Sequence, residues 1–341
     1  MQNLLKLSIC CLSYNHAKFI NECISSIINQ DYSNIEIIAL DDGSSDGSSD
    51  ILSDLAKNSS VPFKFIRNQE NSGNIGKNFN LLLNSATGDL VMFISCDDKL
   101  IEESLKEKIN MFLDDSVAFV CHSQVIAIND KSEKINSVPP LTLDSLENPT
   151  IDDILFLDYS ELGSFYIQGG IFRKSVVEAV SGFDEDMICD DIILRTKVAR
   201  FVKSNHLKFN VLKKPGVFYR RHSDNISSNT VRQCKGVIQY LDRYWPNEPT
   251  PKEIVKWVKY MFSYTTMDNE YDLFFINKLR FDIIKGLCSH FPFEKVEDTI
   301  KTRRYLFLKI VTEKNDYMYK KRIYIFGMPV YKFMKMKKDN L

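Results

Sequence analysis

The chain has 341 residues, of which 44% are hydrophobic and 26% charged, and its net charge at pH 7 is −1. These values are ordinary for a globular protein, and the length allows one large domain with a smaller addition. Because no run of eighteen apolar residues occurs, a membrane-spanning helix is not expected.

The cysteines indicate a reducing compartment. Eight of them are scattered along the chain without a Cys-x-x-Cys pair, which favours reduced thiols over the disulfide framework of a secreted protein. The N-terminal apolar stretch lacks the parts of a signal peptide and reads as a strand. We therefore expect a cytoplasmic protein.

Charge is distributed unevenly. Residues 301–341 contain twelve Lys and Arg against three Asp and Glu, a net charge of +9, so the first 300 residues carry −10. Such a basic tail suggests an anionic partner, either nucleic acid or a membrane surface. Aromatic and aliphatic residues between Tyr324 and Met334 favour the membrane, and Pro329 favours a short helix or an extended segment there. The alternative is a solvated tail that packs partly on the body.

Three apolar runs, 7–12, 35–40 and 90–94, are typical of buried parallel strands. Each is followed by a polar segment; these segments are 13–15, 41–48 and 95–98. Helical patterns lie between the strands. We therefore predict an α/β fold, a doubly wound and mostly parallel sheet with helices on both faces and one functional edge.

Further elements follow along the chain. We predict helices over 101–113, 174–180 and from about 190, strands over 117–128, 166–172 and 205–220, and a long loop over 129–149 on the acceptor side. From residue 231 the apolar spacing is helical, around 237–244 and 254–262. We expect a first domain over 1–228 and a helical C-terminal region over 229–341 that ends in the basic tail.

Asp97 and Asp98 directly follow the strand 90–94. Ligands of open α/β sheets bind at the carboxyl ends of the strands. Two adjacent carboxylates are costly to bury there unless a cation neutralises them, and they suit a hard divalent cation that phosphates also bind. The alternative from the residues alone is an N-cap pair for the helix predicted near Ile101.

Five short motifs occur in one order and spacing. They are Ser13-Tyr14-Asn15, Asp41-Asp42-Gly43-Ser44-Ser45-Asp46, Asn71-Ser72-Gly73, Gly88-Asp89 and Asp97-Asp98. Together they resemble a family 2 glycosyltransferase with the GT-A fold, over about residues 5–225. From about residue 230 onward the chain resembles no specific enzyme family.

The resemblance implies a nucleotide-sugar site at the ends of the first two strands, formed by Leu12, Ser13, Tyr14, Asn15 and Asp42. Asp42 can accept the uracil N3–H, and the ring of Tyr14 can stack on the base. The residues also allow structural alternatives, with Asp42 as a helix cap and Tyr14 as packing at the strand end.

The resemblance also implies a site for Mn²⁺ or Mg²⁺, with Asp98 as a direct ligand and Asp97 nearer the sugar or ribose. The common motif has an aspartate where Cys96 stands, and a neutral thiol is a poor ligand for either ion. His222, in Tyr219-Arg220-Arg221-His222, matches a histidine that meets the metal or the diphosphate in relatives.

Two basic positions are expected near the phosphates or the base. Lys77, at a glycine-containing helix start, suits a phosphate or a base edge, and the alternative is an exposed helix lysine. Either Arg220 or Arg221 can bind phosphate through two parallel hydrogen bonds, and we assign this role to Arg221.

The catalytic base is assigned from two segments, Gly182-Phe183-Asp184-Glu185 and Cys189-Asp190-Asp191. They resemble the family's Gly-Phe-Asp-Glu segment and its acidic pair at a helix start. Asp191 matches the catalytic base, and Asp190 matches the neighbour that binds or orients the acceptor. A helix N-terminus favours the ionised carboxylate that a base needs. The alternative is an acidic N-cap pair.

We therefore expect an inverting, metal-dependent glycosyltransferase that moves a hexose or N-acetylhexosamine from a UDP-sugar to a hydroxyl of a glycan acceptor. The resemblance implies a lipid-linked acceptor in surface polysaccharide (O-antigen or capsule) synthesis, reached from the inner face of the cell membrane, and no nucleic acid partner. Two alternatives remain. One is an inactive nucleotide-sugar-binding partner subunit, and the other is a sugar nucleotidyltransferase, which needs a Gly-rich loop where Ser13-Tyr14-Asn15-His16 stands.

Overall fold

The structure is a computed structural model that describes residues 4–136, 141–222, 225, 230–249, 251, 301–305, 308–314, 318–325 and 328–336. The chain divides into two units, Met1–Asn225 and Ile226–Leu341, which are described separately.

An eight-stranded sheet forms the centre of the first unit. Its strands are β1 (Leu7–Ser13), β2 (Ile35–Asp41), β3 (Phe63–Arg67), β4 (Leu90–Ser95), β5 (Lys99–Leu100), β6 (Val117–Ile128), β7 (Ile171–Arg173) and β8 (Lys208–Arg220). Their order across the sheet is β3-β2-β1-β4-β7-β6-β8-β5. β1 runs parallel to β2 and β4, whereas the short β7 runs antiparallel to β4 and β6.

The strand register brings three polar strand ends together. Ser13 lies opposite Asp41 on one side of β1, and Leu12 lies opposite Ser95 on the other. The residues that follow β1, β2 and β4 therefore meet at one edge of the sheet, as the sequence predicted.

Eight helices accompany this sheet among the described residues, and most of the apolar core lies between them and the strands. The helices are α1 (Ile20–Ile28), α2 (Ser48–Asn58), α3 (Ile75–Ser85), α4 (Leu105–Asn110), α5 (Thr142–Ser145), α6 (Ile151–Ser160), α7 (Lys174–Ala179) and α8 (Asp191–Ser204). In α1, Ile20, Cys23, Ile24 and Ile27 are buried, because their spacing places them on one face of the helix.

Several predicted boundaries were wrong. The helix predicted over 101–113 begins only at Leu105, because the preceding residues form β5 and a turn, and it ends in a 3₁₀ turn over Met111–Leu113. The predicted loop over 129–149 contains α5, and α6 was not predicted. The strand predicted over 166–172 shrinks to β7, because Gly169 has a φ of 74° and the N–H of Gly170 donates to the carbonyl of Ile167 in a turn.

The second unit combines one described helix with a sheet. The helix is α9 (Thr230–Tyr244), and the four antiparallel strands are β9 (Lys301–Tyr305), β10 (Leu308–Lys314), β11 (Met318–Ile325) and β12 (Met328–Met336), in the order β12-β11-β10-β9. The helical expectation for 229–341 thus agrees with α9 and is wrong for β9 to β12, where β-branched and aromatic residues alternate with cations. The helix predicted around 254–262 lies outside the described residues. Within the described part of the chain, no helix has the length and apolar character needed to cross a bilayer.

Candidate functional site

Three side chains from distant parts of the sequence meet at the carboxyl edge of the sheet. They are His16 after β1, Asp97 after β4 and His222 after β8, and one potential ligand atom from each lies within 4.8 Å of the others. Nε2 of His222 lies 3.2 Å from Oδ2 of Asp97, and Nε2 of His16 lies 3.8 Å from the same oxygen. Phe19 holds the His222 ring from the side, with ring centroids 5.0 Å apart.

The environment of Asp97 favours its charged form. Burial alone would raise the pKa of its carboxyl, but electrostatic attraction to His16 and hydrogen bonds from His222 and Ser95 lower that pKa to about 2. Two atoms of the cluster, Oδ1 of Asp97 and Nδ1 of His16, are buried and lack a hydrogen-bond partner among the described residues. Since buried polar atoms are normally satisfied, this donor set fits a bound cation.

Asp98 lies outside the cluster of His16, Asp97 and His222. Its side chain is buried, and its Oδ1 accepts a hydrogen bond from the backbone N–H of Arg220 at 2.8 Å. Burial and the neighbouring charge of Asp97 raise the pKa of Asp98 well above its usual range. The structure thus brings Asp97 to His222 and does not bring Asp98 to that cluster. The helix-capping alternative for the pair is wrong, because α4 begins after Ser104.

Arg220 ties the strand ends together. Its guanidinium is fully buried; Nε donates to the carbonyl of Asp97 at 2.7 Å, Nη1 to the carbonyl of Asn129 at 2.8 Å and Nη2 to Glu22 at 3.1 Å. Since these contacts occupy its donors inside the protein, Arg220 is a structural residue. Arg221, which is exposed, is the arginine of this pair that remains available to a phosphate.

Asp42 lies in a small polar pocket beside β1. Its Oδ1 accepts from Asn68 Nδ2 at 2.7 Å and from the N–H of Ser72 at 3.0 Å, and its Oδ2 accepts from Ser72 Oγ at 2.9 Å. The N–H of Asp42 donates to the carbonyl of Ser13, which joins the pocket to the end of β1. The capping alternative is wrong, because Gly47 occupies the N-cap of α2.

Gly43 closes this pocket. Its φ is +71°, and a Cβ there would lie 2.4 Å from the backbone carbon of Glu70. A side chain cannot be placed at this position without moving the backbone, so the turn after Asp42 requires glycine.

The other predicted nucleotide residues surround this pocket. Ser13 is buried, Leu12 is half-buried, and Tyr14 is 36% exposed. Asn15 links two strand ends: its N–H donates to Ser44 Oγ at 2.8 Å, and its Oδ1 accepts from the N–H of Ser45 at 3.0 Å. Lys77 is exposed in the first turn of α3.

Asp191 is the first residue of α8, and its side chain is 40% exposed. Its Oδ1 accepts from the N–H of Ile192 at 2.7 Å, and its Oδ2 accepts from Nη1 of Arg195 at 3.1 Å. Asp190 occupies the N-cap position, as the acidic N-cap alternative predicts, but it makes no side-chain capping hydrogen bond. Asp191 is therefore a fixed, accessible carboxylate at a helix N-terminus.

Tyr166 connects this carboxylate to the end of β8. Its ring lies 5.7 Å from that of Tyr219. Burial and Tyr219 raise the pKa of Tyr166 to about 12; the charge of Asp191 also raises it, whereas Arg195 and Arg221 lower it. Asp191 and Arg221 thus both act on the pKa of this phenol.

Sequence reasoning missed His16 and Arg195. His16 directly follows Ser13-Tyr14-Asn15 at a strand end, and this position was the available signal. Arg195 follows Asp191 by four residues, which is the spacing of an ion pair along a helix.

Sequence comparisons match the first part of the chain. A family model described as glycosyl transferase family 2 matches residues 8–181, just over half of the chain. An uncharacterized glycosyltransferase of Nostoc sp. is 30% identical over 187 residues, which is 53% of this chain and 54% of that protein. A GalNAc(5)-diNAcBac-PP-undecaprenol beta-1,3-glucosyltransferase of Campylobacter jejuni is 30% identical over 176 residues, 51% of this chain and 53% of that protein. The chain thus spans about half the length of these relatives.

Among solved structures, Staphylococcus aureus TarS 1–349 in complex with UDP-GlcNAc is similar, with a TM-score of 0.53 and 17% sequence identity, over 79% of this chain and 84% of that one. The likeness concerns the fold, and it confirms the predicted fold class.

Proposed function

The chain belongs to glycosyl transferase family 2, and from this premise we propose an inverting, metal-dependent enzyme. It moves a hexose or N-acetylhexosamine from a UDP-sugar to a hydroxyl of a glycan acceptor. The observation that carries this proposal is the convergence of His16, Asp97 and His222, with two unsatisfied buried atoms, at the sheet edge that also holds Asp42.

His16, Asp97 and His222 would hold the metal ion. One carboxylate and two imidazoles suit Mn²⁺ better than Mg²⁺, which prefers oxygen ligands alone. When bound, the ion supplies Lewis-acid stabilisation of the diphosphate. Arg220 fixes the backbone of Asp97, and Arg221 adds a positive charge near the leaving group.

Asp42 and the end of β1 would bind the nucleoside. The carboxylate is held rigidly by Asn68 and Ser72, so it can accept the uracil N3–H without a rearrangement. The exposed ring of Tyr14 is available to stack on the base, and Lys77 is available to a phosphate or base edge. This arrangement supports a UDP-sugar as the donor.

Asp191 would act as the base. It accepts the proton of the acceptor hydroxyl while the acceptor oxygen forms a bond to the anomeric carbon. The bond from that carbon to the diphosphate breaks on the opposite side, and its electron pair leaves with UDP. One displacement inverts the anomeric centre, and a single carboxylate suffices. Asp190, beside it, would orient the acceptor.

The acceptor is proposed from a relative. The Campylobacter jejuni protein is named for an undecaprenol-linked acceptor, which supports a lipid-linked glycan and surface polysaccharide (O-antigen or capsule) synthesis as the role of this chain. Such an acceptor would be met at the cytoplasmic face of the membrane, where this enzyme would bind peripherally.

The C-terminal sheet supports membrane binding through its register. Arg304 lies directly opposite Lys309, and Arg322 lies directly opposite Lys332. Both pairs lie on the same face of the sheet. Lys309 and Val311 share a face because they are two residues apart on β10, and Val311 lies opposite Arg322 of β11. Like charges directly opposite each other destabilise a sheet. An anionic lipid surface against this face would neutralise both pairs.

An inactive nucleotide-sugar-binding subunit is the second candidate, because Cys96 stands in the acidic motif. The exposed, hydrogen-bonded carboxylate of Asp191 favours the enzyme instead. The test is a mass-spectrometric screen of UDP-Gal, UDP-Glc, UDP-GlcNAc and UDP-GalNAc with Mn²⁺, with Asp191→Asn as the control. Donor turnover by the parent and not by the variant supports the enzyme; donor binding without turnover supports the subunit.

A further inference from the structure

Three charged side chains on two helices are connected in series. Arg195 of α8 is 3% exposed. Its Nε donates to Oδ1 of Asp158 on α6 at 3.0 Å, and its Nη1 donates to Oδ2 of Asp191 at 3.1 Å. A buried guanidinium therefore joins the exposed carboxylate at the start of α8 to a fully buried carboxylate on another helix.

Asp158 is itself fixed. Its Oδ1 also accepts from the N–H of Ser164 at 3.0 Å and from Ser164 Oγ at 2.8 Å. The guanidinium of Arg195 lies over the ring of Phe165, 5.6 Å from its centroid. These contacts leave the guanidinium little freedom to rotate, so its Nη1 points at Asp191 before any substrate binds.

We propose that Arg195 is a positioning residue that aims and tunes Asp191, and that Asp158 sets how much of the guanidinium charge Asp191 feels. This inference rests on the proposed role of Asp191 as the base. Each oxygen of Asp191 accepts one hydrogen bond among the described residues, from Ile192 or from Arg195, and keeps a lone pair for the acceptor hydroxyl. The carboxylate can thus be held and still receive a proton.

The sharing of one guanidinium by two carboxylates has a chemical consequence. Oδ2 of Asp158 is buried without a hydrogen-bond partner among the described residues, so Arg195 is the main compensation for the charge of Asp158. Burial raises the pKa of Asp158, and Arg195 lowers it. If Arg195 paired with Asp191 alone, it would make that carboxylate a weaker base, because an adjacent positive charge favours the ionised form of the carboxyl group.

Other charged and titratable groups face Asp191 and must stay constant in a test. These are Asp190, the N-cap residue that precedes it, and Tyr166, whose pKa Asp191 raises. None of the variants below changes them.

The two single changes are expected to act in opposite directions. Arg195→Met removes the positive charge beside Asp191 and should raise the pKa of that carboxyl. In Asp158→Asn, Asp191 is the one carboxylate of the two that still pairs with Arg195, so the pKa of Asp191 should fall. Asp158→Asn/Arg195→Met removes both buried charges together and leaves the net charge of the cluster unchanged, so it serves where Arg195→Met alone fails to fold. It should raise the pKa of Asp191 as well.

The pKa of Asp191 is measured by NMR of ¹³C-labelled aspartate carboxyls in the full-length protein, with the resonance assigned through Asp191→Asn. This readout needs neither donor nor acceptor, so it decides the inference even if the screen shows no turnover. Lys197→Gln is the matched control, because Lys197 lies on the same helix but pairs with Asp184 at 2.7 Å.

With an active donor, the acidic limb of kcat/KM against pH should follow the NMR values, and Arg195→Lys should keep its position at a lower kcat. Opposite movements in the two single variants, with no movement in Lys197→Gln, support the proposal. An unchanged Asp191 pKa in the double variant, or movement in the same direction for Asp158→Asn and the double variant, overturns it.

Discussion

Oδ2 of Asp97 lies 3.2 Å from Nε2 of His222, although 125 residues separate them in the chain. The contact forms because β4 and β8 both end at the same edge and Arg220 bridges them. We therefore propose Asp97 as the carboxylate of the candidate metal site, whereas the sequence analysis assigned this role to Asp98.

Asp97→Asn should therefore weaken Mn²⁺-dependent UDP binding at least about tenfold, because the variant loses the charge at the centre of the cluster. Calorimetry of UDP with and without Mn²⁺ measures this. Asp98→Asn is the direct comparison and Asp54→Asn, at an exposed side chain, is the control. If Asp98→Asn loses metal-dependent binding and Asp97→Asn keeps it, the sequence-based assignment of the ligand is right.

Asp191→Asn should leave donor binding nearly intact and reduce turnover at least about a hundredfold, since a general base contributes roughly 10²- to 10⁴-fold. Steady-state assays on the active donor, with calorimetry of UDP, separate the two effects. Turnover within tenfold of the parent would place the base elsewhere, and Asp190→Asn then becomes the variant to examine.

Glu36 stabilises the other end of the sheet. Burial opposes its charge, but hydrogen bonds from Lys6, Ser8 and Thr87 outweigh burial and lower its pKa to about 2. A pKa below the unfolded value means that the stabilisation is complete above about pH 4.5 and is lost as the pH falls through about 2.

Glu36→Gln should thus lower the free energy of unfolding by about 3 kcal/mol at pH 7, and by progressively less below pH 4.5. Urea unfolding of parent and variant between pH 7 and 3 measures the difference. A difference that stays constant over this range would contradict the assignment.

The face of the C-terminal sheet that holds the pairs Arg304–Lys309 and Arg322–Lys332 should bind anionic liposomes, more weakly at high salt. Flotation of the full-length protein compares two quadruple variants, in which Lys or Arg becomes Gln. The first changes Arg304, Lys309, Arg322 and Lys332, and its matched control changes Lys301, Arg303, Lys321 and Lys335 on the opposite face. We expect liposome binding to be lost in the first variant and kept in the second. Equal binding by both variants, or no binding by the parent, removes the proposed membrane contact.

Neutralising residues is a better test of membrane binding than truncation after about residue 315. Such a cut falls between β10 and β11 and would divide the sheet. The sequence analysis did not predict this sheet. Cations alternate there with aromatic and aliphatic residues, and this alternation was interpreted as a surface segment, because the pairing of strands is not visible in a single strand.

Much of the fold of the first unit could be predicted directly from the sequence. The strands 7–12, 35–40 and 90–94 agree with the structure to within a residue, because buried parallel strands are short continuous apolar runs between turn residues. β6 was predicted with its bounds, whereas α6 was missed inside a region of mixed polarity.

The sequence by itself determined the family, the sheet edge at which the polar segments gather, and Asp191 as an acidic residue at a helix start. Only the tertiary structure decided that His16 and Asp97 join His222, that Arg220 is enclosed in the protein, and that Asp158 reaches Asp191 through Arg195. The physical reason is that local patterns follow from side-chain spacing along one element. A shared cation site or a buried ion pair depends instead on the direction in which side chains from separate elements leave the backbone.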